Sequence, residues 1–426
     1  MEYKIKKIKA REVIDSRANP TIEVEVFAGH HFVKSIIPSG ASTGIHEALE
    51  LRDNDVKRNN GKGVLKAVDN VNKIIARKLI NYDCRRQKDI DDMLIELDGT
   101  DNKSKLGANS TLGVSMAVCK AGALCTKMKL YEYIQELSNS KQIMLPIPQM
   151  NVINSGKHAG TDNDIQEHML VPVGFKTYRE ALRAGVETYN ALKGVLKEKF
   201  GARAILLGDE GGFAPPIGSV HERLELLMDA IDKSGYGEKI KLALDCAASE
   251  FFDEKGGKYK ILNHQFDQGQ LIDFYKQITK KFPIISIEDG FAQDDWSGWC
   301  LFNKELGRKI QIVGDDLLAT NMSRIKKAIN EDACNALLLK ANQIGTISES
   351  LDAANTADKN KWNVVVSHRS GETEDSFIAD LAVGIAANQS KFGAPARSER
   401  TAKYNRLLEI EEELGNKARF AVLKQK

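Results

Sequence analysis

Five times between Lys239 and His368 a short run of β-branched or leucine-rich residues stops abruptly on a charged or polar one. The runs are Lys241-Leu-Ala-Leu-Asp245, Ile284-Ile-Ser-Ile-Glu288, Ile310-Gln-Ile-Val-Gly-Asp315, Ala336-Leu-Leu-Leu-Lys340 and Val364-Val-Val-Ser-His368. Amphipathic segments of helix length, such as 270–281 and 322–329, lie between them. Near-continuous apolar strands alternating with helices predict a parallel sheet buried on both faces. Polar residues that end such strands collect at the carboxyl edge, where a β/α barrel holds its active site.

The remaining segments extend this pattern. Strands are expected at 149–153 and 167–172 and a short one at 389–391, which brings the total to eight, with helices over 178–200 and 220–233. Two strands and then two helices precede the regular alternation, so the barrel is expected to be irregular. Further upstream, 3–9, 21–27 and 31–37 read as strands. Ile22, Val24 and Val26 alternate with Glu23 and Glu25, the mark of a half-exposed antiparallel strand. Val64, Val68, Val71, Ile75 and Leu79 share one helical face, and Asn109 is placed to cap a helix running to about 127. The chain has 426 residues, long for one domain, and 137–148 with its two prolines is the best linker. The expected fold is α/β: an irregular, TIM-like β/α barrel over 138–426 behind an N-terminal α+β cap over 1–137.

Composition narrows the function classes. A net charge of +2 gives no global field for nucleic acid. No run is long and apolar enough for a membrane span, and the start lacks a signal-peptide core. Six scattered cysteines without a C-x-x-C pair fit reduced, packed thiols in a cytoplasmic protein.

Asp245, Glu288 and Asp315, at three strand ends, are hard oxygen ligands for magnesium, which keeps waters that substrate oxygens can replace. Taken singly, each reads better as a loop or helix-capping acid; as a trio they favour the metal. Lys340 ends the next strand and suits a base whose charged form is disfavoured by nearby cations, although alone it reads equally as an ion-pair partner. Glu210 sits in Gly208-Asp-Glu-Gly-Gly212, and Glu167 opens an apolar strand. Two carboxyls at one site can share a proton and make a general acid. Pro38-Ser-Gly-Ala-Ser-Thr-Gly44 reads as a closing loop that supplies a hydroxyl or, equally, as a surface turn. His158 in Ser155-Gly-Lys-His158 more simply reads as structural. Arg369 and Ser370 after a strand suit a phosphate or carboxylate, with Lys391 as a second cation.

Eight segments together resemble the enolase family over essentially the whole chain. They are Asp15-Ser-Arg-Ala-Asn-Pro-Thr21, Pro38-Ser-Gly-Ala-Ser-Thr-Gly44, His46-Glu-Ala-Leu-Glu-Leu-Arg-Asp53, the Gly208 loop, Leu244-Asp-Cys-Ala247, Leu337-Leu-Leu-Lys-Ala-Asn-Gln-Ile-Gly345, Ser367-His-Arg-Ser-Gly-Glu-Thr-Glu-Asp375 and Gly393-Ala-Pro-Ala-Arg-Ser-Glu-Arg400. The resemblance implies reversible dehydration of 2-phosphoglycerate to phosphoenolpyruvate, with Lys340 as base, Glu210 as acid and Glu167 nearby. It implies two magnesium ions, the first on Asp245, Glu288 and Asp315, the second arriving with substrate and helped by Ser39. His158, Gln166, His368, Arg369, Ser370 and Lys391 would line the substrate. It also implies a homodimer or an octamer of dimers and, for members displayed at a cell surface, plasminogen binding through lysines such as Lys426. A Lys or His base with magnesium is a general feature of enolase-superfamily sites.

Some positions depart from the family pattern. Ala18 replaces a glycine, Ile36-Ile37 replaces smaller residues, and Glu409 stands where many members carry a basic residue that bridges subunits. Asn388-Gln-Ser-Lys-Phe-Gly393 replaces the usual Gly-Gln-Ile-Lys-Thr-Gly. Phe392 is expected to pack outward on Tyr404 or Leu407 rather than narrow the cleft, because a buried ring adds apolar contact the cleft does not need.

Overall fold

The computed structural model describes residues 3–40 and 44–423. Residues 41–43 of the loop 38–44, the first two residues and Lys426 lie outside the described residues.

The N-terminal region opens with an antiparallel meander: β1 (Ile5–Ile14), β2 (Pro20–Ala28) and β3 (His31–Ile36), in that order across the sheet. β1 runs beyond the expected end at Lys9 because it pairs with β2 as far as Ile14–Pro20. As the central strand, β2 is not half-exposed as its alternation implied: Glu23 is buried beneath Arg11 and Lys34, each ion-paired to it. The long apolar stems of those cations cover the carboxylate. Val68, Val71, Ile75 and Leu79 are buried on one face, as their spacing predicts, in a helix that includes a π-helical turn over Asn70–Ile75, and the buried Val64 stands just before its first residue, Leu65. The next sequence-predicted helix, Ala108–Cys125, packs on β2 and β3. Asn109 does not cap it. It lies inside the first turn, where its amide bonds Leu51 and so ties down the segment carrying Glu47 and Glu50. The helices Gln87–Asp98 and Leu130–Ser138 were not foreseen.

Eight strands then close a barrel: β4 (Ile147–Asn154), β5 (Glu167–Pro172), β6 (Ile240–Asp245), and, after a small sheet of β7 (Phe252–Asp253), β8 (Lys258–Ile261) and β9 (His264–Phe266), the strands β10 (Ile284–Glu288), β11 (Gln311–Gly314), β12 (Ala336–Leu339), β13 (Asn363–Ser367) and β14 (Gln389–Lys391). Helices Tyr178–Phe200 and Val220–Ser234 separate β5 from β6, which gives the irregular opening the sequence implies. All barrel pairings are parallel except those of β5, which runs antiparallel to both β4 and β6. This reversal decides where the site forms. The first residue of β5, Glu167, registers against Asp245, the last residue of β6. Glu167 therefore shares the rim where the other strands end.

None of the six cysteines forms a disulfide, and five of them are buried. Among the described residues, no helix is long and apolar enough to cross a membrane.

Candidate active site

Asp245 and Glu288 end adjacent strands and face each other in register, while Asp315 and Lys340 each stand one residue beyond their strands. Around the closed barrel the order is β10, β11, β12, β13, β14, β4, β5, β6. The three acids thus occupy three neighbouring strands, β6, β10 and β11. Lys340 follows β12, which stands four positions from β5, so Lys340 and Glu167 face each other from opposite walls.

The pocket between them is lined by Glu167, Glu210, Asp245, Asp289, Asp315 and Asp316 against three cations, Lys340, Arg369 and Lys391. Lys391 Nζ lies 2.8 Å from Asp245 Oδ2, 2.8 Å from Glu288 Oε1 and 3.2 Å from Glu167 Oε2. Lys340 is ion-paired with Asp315. Burial and neighbouring charge still push the carboxyls of Glu288 and Asp289 well above their usual range, and that of Asp316 up to about 8. Glu288 Oε2 is buried without a hydrogen-bond partner. A surplus of hard, desolvated oxygen donors fits a divalent cation of the magnesium class.

Two members of this acid wall escaped the sequence reading. Asp289 accepts from the backbone N–H groups of Asp315 and Asp316 (2.9 and 2.8 Å), and ligand atoms of Asp289, Asp315 and Asp316 lie within 4.8 Å of one another. The doublets Glu288-Asp289 and Asp315-Asp316 were the available signal. Within the strand-end trio, Lys391 bridges Asp245 and Glu288 while Asp315 pairs with Lys340, so the three do not form so tight a group.

On the opposite wall, Glu167 and Glu210 flank His158, whose Nδ1 is 3.4 Å from the first and 3.8 Å from the second. Gln166 Nε2 lies 3.2 Å from His158 Nε2. Burial and the charge of Glu210 raise the Glu167 carboxyl well above its usual range. Burial alone would raise Glu210 as well, but His368, His158 and Arg400 outweigh it and hold its carboxyl well below. Their surroundings thus drive the two carboxyls apart, Glu167 upward and Glu210 downward. Burial drives His368 down to about 3. Its Nδ1 lies 2.6 Å from the Arg400 guanidinium, which can only donate, so the neutral ring directs Nε2 to Glu210, 3.2 Å away. Gly393 permits this packing: a Cβ there would stand 2.8 Å from the Glu210 carbonyl oxygen, and its φ of +81° favours glycine.

Arg369 is clamped from the N-terminal region. Its Nη1 donates to Glu47 Oε2 at 2.8 Å and Asn342 Oδ1 at 3.0 Å, and its Nη2 to Glu47 Oε1 at 3.1 Å. Ser370 accepts from Arg17 at 3.4 Å. Glu47 and Arg17 were also not foreseen, although both fall inside motifs read from the sequence. Ser39 is not brought to the acid wall. Its hydroxyl donates to Glu50 at 2.8 Å and accepts from Arg52 at 2.9 Å, and its backbone pairs with Gly371. Phe392 is buried outside the pocket, edge-on to Tyr404 with ring centroids 6.1 Å apart, the outward packing expected of it.

Family models match two parts of the chain: one described as "Enolase, N-terminal domain" over residues 5–134, the other as "Enolase, C-terminal TIM barrel domain" over 142–426. Similar proteins include an enolase of Thermococcus gammatolerans, 56% identical over 97% of this chain and 95% of the relative. Those of Pyrococcus furiosus (54%; 98% and 97%) and Thermococcus kodakarensis (54%; 97% and 95%) are comparable.

Proposed function

This chain belongs to the enolase family, and from that premise we propose how its residues divide the work of the family reaction. The protein is a hydro-lyase of glycolysis that interconverts 2-phosphoglycerate and phosphoenolpyruvate, with a divalent metal cofactor. The reading of individual roles rests on one observation above all: Lys340 and the Glu167–Glu210 pair stand on opposite walls of a pocket whose remaining side is rich in carboxylates.

Asp245, Glu288 and Asp315 would hold a divalent cation, which when bound supplies positive charge against the negative charge that develops on the substrate. Burial, Arg369 and Lys391 disfavour the Lys340 ammonium, but Asp315 and Glu288 outweigh them and hold the lysine above its ordinary value. Lys340 is assigned the C2 proton because it faces the Glu167–Glu210 pair across the pocket. Glu210 hands a proton to the departing C3 hydroxyl, and Glu167, whose carboxyl is raised where that of Glu210 is lowered, is the neighbouring group that resupplies it. His158 and Gln166 hold the carboxylate pair in place. Arg369, Ser370 and Lys391 supply cationic and hydroxyl contacts to the anionic substrate, and His368 fixes Glu210 from behind.

The family resemblance adds a second magnesium that accompanies substrate. The engaged hydroxyl of Ser39 does not fit it as a ready ligand, so no step is assigned there. We take 1–137 as the cap, 138–426 as the catalytic barrel, the cytoplasm as the site of action and a homodimer or octamer of dimers as the assembly. Glu409 contributes no basic contact to that assembly and instead pairs with Arg406 of its own chain at 3.1 Å. Exchange of the substrate C2 proton with solvent deuterium tests the division of labour. Wild-type protein should exchange it, and no exchange at any magnesium concentration would defeat the assignment.

A further inference from the structure

Thr320, a β-branched residue, holds a left-handed backbone with φ of +51°, directly after Ala319 at +45°. Such a conformation is strained for a side chain of that shape and persists only where its surroundings impose it. The hydroxyl it presents is fully engaged. Thr320 Oγ1 accepts from the backbone N–H of Lys340 at 3.0 Å and donates to Gln343 Oε1 at 3.0 Å. Both Thr320 and Gln343 are only 1% exposed.

Gln343 uses its remaining groups just as fully. Its Nε2 donates to Asp315 Oδ1 at 2.8 Å and approaches Glu47 Oε1 at 3.4 Å. Its backbone carbonyl accepts from Ala48 N–H at 2.8 Å, and its own N–H closes the turn onto the Lys340 carbonyl. One amide side chain thus touches Asp315 and reaches toward the carboxylate that clamps Arg369. Through Thr320 it also meets the backbone of the base.

We propose that Gln343, seated by the strained Thr320, is a positioning residue that fixes Asp315 for the cation and sets Lys340 and the Glu47–Arg369 clamp relative to it. This deepens the preceding section, since it rests on reading Asp315 as a cation ligand and Lys340 as the base. An amide suits the task because it donates to Asp315 and accepts from Thr320 without adding charge to a wall already crowded with carboxylates. Groups that orient a metal ligand typically change metal affinity or activity by about 10- to 100-fold when lost.

The test is magnesium binding alone, by calorimetry, with kcat, KM and the thermal midpoint measured in parallel. Gln343→Leu should weaken magnesium by about 10- to 100-fold and lower kcat comparably, with the thermal midpoint little changed. Thr320→Gly, which relieves the strain but removes the hydroxyl, should lose kcat without losing thermal stability, and Thr320→Ser should restore it. This second pair carries the test should Gln343→Leu fail to fold. Magnesium affinity and kcat within about twofold of wild type in both Gln343→Leu and Thr320→Gly would overturn the proposal. The control is Asp315→Asn. Magnesium lost there but kept in Gln343→Leu sinks only the role of Gln343; magnesium kept in both sinks the reading of Asp315 as a ligand.

Discussion

Lys391 Nζ stands 2.8 Å from Asp245 Oδ2, so the ammonium proposed to meet substrate is held by an acid proposed to meet the cation. The two occupants compete for the same carboxylate. Lys391→Met should therefore tighten magnesium binding, by about tenfold or more given the charge removed at this distance. It should also raise KM for 2-phosphoglycerate. Calorimetry with magnesium reads the first effect and steady-state kinetics the second. Weaker magnesium binding in the variant would show that Lys391 organises the acids instead of competing for them.

Lys340 and Glu210 act at different ends of the reacting bond, which separates their variants. Lys340→Ala should abolish C2 exchange with deuterium, while Glu210→Gln should keep exchange and block loss of the hydroxyl. Each should lower turnover by about 10²- to 10⁴-fold, the usual contribution of a positioned acid or base. Equal loss of exchange in both variants would mean that the roles are misassigned.

Phe392 lies in the core against Tyr404, outside the pocket. Phe392→Thr should cost about 3 kcal/mol of stability, the lower range for truncating a buried ring, and leave KM nearly unchanged. A thermal melt and a KM determination check both halves. A lower KM at unchanged stability would put the ring in the substrate's way.

His168 is buried with its Nε2 3.3 Å from Arg223 Nε, and burial together with that cation holds its pKa well below the ordinary value. The unfolded chain takes a proton there near pH 6.5, while the folded protein refuses it. The stability that results is complete above that pH and lost as pH falls below it, by about 1.4 kcal/mol per pH unit. His168→Gln, which keeps an acceptor for Arg223, should flatten this part of the acid-unfolding curve. An unchanged slope between pH 6.5 and 5 would assign the loss to other groups.

The barrel was legible because its strands are short apolar runs that end on polar residues, and β5 could be read as a strand from 167–172. Its antiparallel direction could not, since direction depends on how the two following helices return the chain to β6. That direction is what brings Glu167 to the rim. Lys340, Glu210 and the strand-end acids were legible by position. Asp289, Asp316 and Gln343 were less so, because the first two directly follow residues already chosen, the third lies three residues past Lys340, and the part of each depends on a turn that no periodicity encodes. Asn109 misled for a related reason. Its residue type suits a cap, but the segment at Leu51 offers its amide better partners inside the helix. Glu23 misled because alternation reports one strand's pattern and not the cations that neighbouring strands lay over it.

The central claim is dehydration of 2-phosphoglycerate by a metal-dependent site built on Asp245, Glu288, Asp315 and Lys340. Absorbance of the enol product after adding 2-phosphoglycerate and magnesium to the purified protein tests it most directly. The signal should rise, stop when a chelator is added and return with excess magnesium, whereas calcium, larger and more loosely coordinated, should support little turnover. No signal at high protein concentration, or full activity in chelator, would contradict it.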